Sequence, residues 1–182
     1  MDRMKFRAER QWFRNQLAGA DQKRYPAVNP IDSYSKYLEY PEIRQYLNDT
    51  IMPGWVEMVE KTKNIIRKGK EANDQINILG DDGVPMSYHE IFWKSELVDF
   101  VILQQDAFDD IDALCPIERQ QFMLELVLDI CDKEFTFEDY EQCRNFFKEL
   151  INLLRQMNYS EFRSEKFENY RNQLNNLLSN GN

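Results

Sequence analysis

The chain has 182 residues, which is enough for one domain with its own hydrophobic core. Its apolar fraction of 42% excludes a fully disordered chain, and its 6 glycines and 6 prolines favour helices over a loop-rich β-protein. The formal net charge of −9 disfavours binding to nucleic acid or to an anionic membrane surface, and it fits either a basic partner or simply solubility.

Cysteine usage and hydropathy indicate the compartment. Cys115, Cys131 and Cys143 are widely spaced and form no CxxC motif, which predicts small buried thiols in a reducing compartment rather than a disulfide framework or a zinc site. No apolar run approaches the ~20 residues that a membrane-spanning helix needs. We therefore expect a cytoplasmic chain that does not insert into a membrane.

A proline-rich segment over residues 19–31, which we call the strap, lies near the N-terminus. Pro26 and Pro30 fix φ and remove two backbone donors, so no helix runs through it. Pro26 also biases Tyr25 toward extended backbone. Asp32 and Ser33 then offer side-chain caps for a following helix. The strap fits either a hinge that holds the ring of Tyr25 or an ordinary interdomain linker.

Helical patterns follow the strap. One or two short helices are expected over residues 32–47, interrupted at Pro41. Pro53 and Gly54 open a long helix whose apolar residues recur at steps of three and four, and Gly80 ends it.

Residues 80–85 have the composition of a turn. Ser87 and Glu90 predict a capping box at the start of the next helix. We expect the inner face of that helix to carry Ile91, Val98, Val101 and Ile102. A polar segment follows over residues 104–112.

Three more helices are predicted toward the C-terminus. One starts at Cys115 and Pro116, the next is opened by Thr136 and Asp139, and the last starts at Ser160. Four- and three-residue steps in the second predict a seam packed against neighbouring helices, formed by Cys143, Phe147, Leu150, Leu154 and Met157.

No segment shows sustained strand alternation, which predicts an all-α bundle of about six helices with a short non-helical N-terminal strap. The domain division that we expect is the strap with a remnant of a preceding domain over residues 1–31, the helical domain over 32–178 and a frayed tail over 179–182.

Several kinds of active site are excluded by the residues. His89 is the sole histidine and lies in the first turn of a predicted helix, so a satisfied or solvent-facing histidine is favoured over a catalytic triad or a histidine-based metal site. Gly69 and Lys70 are followed by Glu71, so they are no phosphate-binding loop. The carboxylates of residues 109–112 lack the central glycine and terminal glutamate of a calcium loop, and helix capping explains them better.

Three segments are more specific than a plain helical bundle needs. They are Tyr-Pro-Ala-Val-Asn-Pro-Ile-Asp-Ser at 25–33, Ile-Leu-Gly-Asp-Asp at 78–82, and Leu-Gln-Gln-Asp-Ala-Phe at 103–108 with Cys-Pro-Ile-Glu-Arg-Gln at 115–120. In order and spacing they resemble the C-terminal region of the catalytic subunits of V-type and archaeal A-type ATP synthases, and more distantly F-type beta subunits. The resemblance is specific from about Lys23 to Gln120 and less diagnostic beyond.

The resemblance implies an adenine pocket. Tyr25 and Phe108 would flank the base, and Gln105 and Ala107 would lie at its edge. Aromatic rings suit this role because they stack on the faces of a purine. From the residues alone, Phe108 also fits a core ring at a helix junction.

The resemblance further implies that Asp81 and Asp82 lie on a turn that contacts the central stalk. Residues 83–86 replace acids that F-type relatives have, which favours steric contact over charge. Without the resemblance, the turn fits a solvated connection between helices.

By the same resemblance, the phosphate loop, the magnesium-binding carboxylate and the catalytic glutamate precede the strap, so this chain is expected to be a fragment without autonomous catalysis. ATP or ADP with magnesium would bind to the parent complex, and no cofactor tightly to this chain. The implied partners are the B subunit and the central-stalk subunits of a V-type ATPase. The parent complex would place this chain at the cytoplasmic side of a membrane, as a peripheral part, and would transport H⁺ or Na⁺ across that membrane. Two rivals remain: a free-standing acidic helical adaptor for a basic partner, and a metal enzyme using residues 109–112.

Overall fold

The computed structural model describes residues 39–106 and 108–180. In these ranges the chain is all-α, as predicted, and no β-strand is present. The strap with Tyr25, and also Ala107, lie outside the described residues. The helices are α1 (Pro41–Thr50), α2 (Trp55–Leu79), α3 (Met86–Val98), α4 (Asp110–Ala113), α5 (Ile117–Asp132), α6 (Tyr140–Asn158) and α7 (Glu165–Asn180). None of these helices is both long and apolar enough to cross a membrane.

The ends of α1 and α2 follow from backbone chemistry. α1 begins at Pro41, where the missing N–H of proline costs nothing because a first-turn amide has no helical partner. α2 begins after Gly54 and ends before Gly80, and these glycines have φ values of 79° and 80°. Other residues rarely adopt this left-handed region, so glycine fixes both ends of α2 as predicted.

The predicted capping box at the start of α3 is wrong. The helix begins at Met86 with Pro85 as its N-cap, and no side chain caps it. Pro85 forces Val84 into extended backbone, at φ −120° and ψ 149°, so the chain can turn into a helix only after the proline. Glu90 instead pairs with Lys94, at 2.7 Å from Oε1 to Nζ. Ile91, expected to face inward, is exposed.

The core is built around α6. Asp139 caps this helix by accepting a hydrogen bond from the Gln142 amide at 2.8 Å, as its position predicted. The five residues of the predicted seam, Cys143, Phe147, Leu150, Leu154 and Met157, are fully buried. They pack with Leu97 and Val98 of α3 and with Phe167 and Leu174 of α7. Full burial of one such side chain contributes about 1.5–3 kcal/mol, so this layer dominates stability.

The last helix starts later than predicted, at Glu165 rather than Ser160. Arg163 has a φ of 63°, which no helix can continue through. Ser164 lies at the start of α7, and its hydroxyl accepts a hydrogen bond from the Phe167 amide at 3.2 Å. α7 then continues to Asn180, which places residues 179 and 180 of the predicted tail in the helix.

α2 and α3 form a helical hairpin whose two backbones meet at Gly69. A Cβ added there would lie 2.0 Å from the Cβ of Ser95, which is closer than any real carbon contact. Position 69 therefore requires glycine because α2 and α3 cross too closely for a side chain there, and not because of the backbone angles of Gly69.

A short π-helical turn follows α3 over Asp99–Leu103. Here the Gln104 amide donates to the Asp99 carbonyl at 3.0 Å, five residues back. Asn158 of α6 supports this turn, because its side-chain amide donates to the Val101 carbonyl at 2.8 Å.

We predict that Gly69→Ala destabilises the domain. Alanine is favoured over glycine in a helix by about 1 kcal/mol, but overpacking of a tight contact costs about 1–3 kcal/mol, so the clash decides the sign. Urea unfolding monitored by circular dichroism measures the change. The double variant Gly69→Ala, Ser95→Gly is the control, and it should recover most of the lost free energy. A Gly69→Ala variant at least as stable as the parent would contradict the close crossing.

Candidate functional site

The first candidate surface is the acidic turn, which we define as residues 80–83. Its 3-10 segment Asp81–Gly83 connects α2 to α3, and both carboxylates are exposed. The predicted turn is therefore present. The assignment of Asp81 and Asp82 to a stalk contact stays a prediction.

His89 fastens the acidic turn to the body of the domain. Its Nε2 lies 2.9 Å from the Asp81 carbonyl oxygen, and because a carbonyl only accepts, Nε2 is the donor in this hydrogen bond. The ring is buried against the ring of Tyr140 at a centroid distance of 4.4 Å. Its Nδ1 has no hydrogen-bond partner among the described residues. A catalytic role is not indicated, since the ring packs in the interior.

The surroundings of the acidic turn combine negative charge with exposed apolar side chains. Burial, and secondly the charge of Asp81, raise the pKa of Tyr140. Ile78 and Leu79, in the last turn of α2, are 73% and 56% exposed. A partner that meets this turn would therefore contact apolar surface as well as carboxylates.

The second candidate surface lies at the other end of α3. We call residues 104–106 and 108–109 the Phe108 loop. The side chain of Phe108 is 99% exposed, so the alternative that it is a core ring is wrong. Gln105 is partly buried, and its side-chain amide lies 3.4 Å from the Asp112 carbonyl.

A buried arginine lies beneath the Phe108 loop. Arg119 is only 1% exposed, and its guanidinium donates to three acceptors: Nη1 to the Asn158 carbonyl at 3.0 Å, Nη2 to the Ile111 carbonyl at 2.9 Å, and Nε to Sγ of Cys115 at 3.0 Å. A buried charge is tolerated only with such partners, and loss of one ionic partner typically costs about 3–5 kcal/mol.

Asp112 is the anionic neighbour of Arg119. Its Oδ1 lies 3.7 Å from Nη2 of Arg119, and its Oδ2 accepts a hydrogen bond from the Asp106 amide at 2.7 Å. Burial raises the pKa of Asp112, while the Asp106 amide and then Arg119 act in the opposite direction. Both groups are thus committed to internal contacts.

Asp109 is a helix cap. Its Oδ1 accepts hydrogen bonds from the amides of Ile111 and Asp112 at 3.0 and 2.8 Å, which confirms the capping interpretation for this one carboxylate. Across the described ranges, no group of three or more His, Cys, Asp or Glu side chains is arranged to hold a metal ion.

Arg119 and Asn158 were missed by sequence reasoning. A signal was available for Arg119, because it precedes Met123, Val127 and Ile130 at steps of four, four and three, and therefore lies on the apolar face of α5. An arginine on an apolar face needs buried acceptors. No comparable pattern marks Asn158.

The three cysteines are free thiols in the described structure, but only Cys143 is buried as predicted, while Cys115 and Cys131 are partly buried. Burial raises the pKa of Cys131 and of Cys143 to about 12 in each case. Neither is suited to act as a nucleophile, because the thiolate is the reactive form.

Comparison with known proteins identifies the family to which this helical architecture belongs. A family model described as the C-terminal domain of V and A type ATP synthase matches residues 44–135. The V-type ATP synthase alpha chain of Chlamydia abortus is 38% identical over 151 residues, which is 83% of this chain and 25% of the relative. The alpha chains of Chlamydia pneumoniae and Protochlamydia amoebophila are 39% and 36% identical over 150 residues each, which is 82% of this chain and 25% of either relative.

The all-α architecture, with an acidic turn and an aromatic loop at opposite ends of one helix, is thus that of a helical domain from an ATP synthase subunit. The chain belongs to the family of C-terminal domains of V- and A-type ATP synthases, and its relatives are the V-type alpha chains. It spans about a quarter of the length of these relatives.

We predict that iodoacetamide at pH 8 does not alkylate Cys131 or Cys143 in the folded domain. A thiol with a pKa of about 12 is only about 0.01% thiolate at that pH, so Cys131 and Cys143 should remain unmodified while the domain is folded. Peptide mass spectrometry measures the modification of each site. In 6 M guanidinium, the control, both should react at the rate of free cysteine. Rapid alkylation of Cys143 in the native chain would contradict its complete burial.

Proposed function

We propose that this chain is the C-terminal helical domain of the catalytic subunit of a rotary V-type ATPase or ATP synthase. In that role it couples ATP hydrolysis or synthesis to rotation of a central stalk and to transport of H⁺ or Na⁺, with the B subunit and the stalk subunits as partners. The observation that carries the proposal is the fully exposed Phe108 ring, in a loop that lies within the residues matched by the family model.

The adenine side of the nucleotide pocket is the proposed role of the Phe108 loop. An exposed aromatic ring gains free energy when a purine covers it, and an aromatic pair contributes about 0.5–1.5 kcal/mol beyond the buried area. Gln105 would lie at the edge of the base, with Tyr25 on the other face and Ala107 beside it. Phosphate and magnesium would be bound by the nucleotide-binding domain of the parent subunit, so we expect no ATP hydrolysis by this chain alone.

We predict that Phe108→Ala raises the KM for ATP. The test is a chimera in which residues 39–180 replace the matching segment of the Chlamydia abortus alpha chain, assembled with that organism's other subunits. Loss of one stacking contact should raise the KM roughly three- to tenfold in a steady-state ATPase assay, because about 1 kcal/mol of binding is lost.

The controls separate the ring from the surface around it. Phe108→Tyr keeps an aromatic face and should retain the parental KM. Leu114→Ala removes another highly exposed apolar side chain of the same region and should have no effect. An unchanged KM in Phe108→Ala would contradict the adenine role. A chimera that never assembles would favour the acidic adaptor.

The acidic turn is proposed to contact the central stalk. Its carboxylates are exposed, and exposed charge pairs contribute only about 0–1 kcal/mol each, so they grip a moving partner weakly. The adjacent exposed side chains of Ile78 and Leu79 support a contact that is largely steric. His89 holds the turn against α3 and so would transmit force to the domain.

We predict that a photoreactive group on the acidic turn cross-links to the stalk. In the same chimera, Asp82 is replaced by p-benzoyl-phenylalanine and illuminated, and mass spectrometry identifies the adducts. The matched control carries the group at Asp110, which is exposed in α4, beyond the Phe108 loop. A stalk adduct is expected from position 82 and not from position 110. Equal adducts from both positions, or none from position 82, would contradict the stalk contact.

A further inference from the structure

The Phe108 ring is exposed, yet its backbone is held. The Phe108 amide donates to Oδ1 of Asp106 at 2.9 Å, and the Asp109 amide donates to the Asp106 carbonyl at 3.3 Å. The amides of Phe108 and Asp109 therefore both bond to one residue, Asp106. The direction of the ring depends on how Asp106 is fixed.

Asp112 holds the backbone of Asp106. Its carboxylate accepts from the Asp106 amide at 2.7 Å, and its backbone carbonyl lies 3.4 Å from the side-chain amide of Gln105. The Asp112 side chain is buried, whereas Asp106 is exposed. One interior residue thus supports two consecutive residues of the Phe108 loop.

Arg119 in turn connects Asp112 to the rest of the domain. Nη2 lies 3.7 Å from the Asp112 carboxylate while donating to the Ile111 carbonyl, and Nη1 donates to the Asn158 carbonyl. The side chain of Asn158 donates to the Val101 carbonyl in the π-helical turn. The guanidinium therefore joins the segment after the Phe108 loop to α6 and, through Asn158, to the segment before it.

We propose that Asp112 and Arg119 are positioning residues for base recognition, which hold the Phe108 ring in the orientation that stacks on a purine. This inference rests on the proposed adenine role of Phe108. Neither residue touches the nucleotide. They act through Asp106, because an ion pair joins Arg119 to Asp112, and hydrogen bonds then join the Asp112 carboxylate to the Asp106 amide and the Asp106 carboxylate to the Phe108 amide.

The alternative to this positioning is collapse of the ring onto its own surface. Leu114 and Ile117 follow the loop in the chain and are 79% and 45% exposed, so they are apolar side chains of the kind that a free phenyl ring packs against. A ring that stays fully exposed in spite of such side chains needs a backbone that is held. The planar fork of arginine suits this purpose, since lysine would place a point charge and could not bond several carbonyls in fixed directions.

The first test uses the chain itself and no nucleotide. Amide hydrogen exchange is measured by NMR, corrected for intrinsic rates. In Asp106→Ala the Phe108 amide should exchange roughly five- to tenfold faster, because one hydrogen bond is lost. Asp106→Asn retains an acceptor and is the matched control, in which protection should persist. Arg119→Lys should speed exchange at both Asp106 and Phe108 while the amide of Phe147 in the core is unchanged.

The second test uses the ATPase chimera described above. Arg119→Lys and Asp106→Ala should each raise the KM for ATP roughly three- to fivefold with kcat changed less than twofold, because the loop affects binding and not chemistry. Asp106→Asn should retain the parental KM. Asp106 is exposed on a loop, so Asp106→Ala gives an answer even if Arg119→Lys does not fold.

The outcomes separate this inference from the proposed function. If Phe108→Ala raises the KM but Asp106→Ala and Arg119→Lys leave both the KM and the amide exchange unchanged, the positioning role is overturned and the adenine role stands. If Phe108→Ala leaves the KM unchanged, the adenine role fails, and the positioning role fails with it. Faster exchange accompanied by a higher KM, with rescue by Asp106→Asn, establishes the positioning role.

Discussion

The close contact between Gly69 of α2 and Ser95 of α3 determines where both candidate surfaces lie. With no Cβ on Gly69, the two helices approach until Ser95 fills the space, and the hairpin is fixed in one crossing. α3 has 13 residues and is therefore about 20 Å long. Its first end carries the acidic turn and its last end leads through the π-helical turn to the Phe108 loop. A single packed helix thus sets the separation and relative orientation of the two surfaces.

Much of the fold could be predicted from the sequence wherever one residue decides the local backbone. Gly54 and Gly80 bound α2, Asp139 caps α6, and the four- and three-residue steps in α6 identify residues that are fully buried. The errors occur where a second local signal competes. Ser87 fits a capping box, but Pro85 dictates the backbone before it. Ser160 fits a helix start, but the left-handed backbone of Arg163 depends on packing that no short window shows.

The candidate site could be predicted less completely, for a physical reason. An aromatic residue at a helix junction is compatible with burial and with exposure, so the residue pattern left both open for Phe108 until the structure placed its ring in solvent. Arg119 needs acceptors that come from residues 111 and 158, far apart in the chain, so its partners are visible only after the helices pack. The proposed roles of Tyr25 and Ala107 concern residues outside the described ranges.

The π-helical turn at Asp99–Leu103 affects the direction in which the rest of the chain leaves α3. A hydrogen bond that spans five residues accommodates one residue more per turn than an α-helix, so the turn is in effect a single-residue insertion. Deletion of one residue from this turn would restore a regular helix, and the chain after the turn would rotate by about 100° around the axis of α3. The Phe108 ring would then face a different side of the molecule although its sequence was untouched. Chain length at this point is therefore as much a determinant of the loop's direction as the residues within the loop.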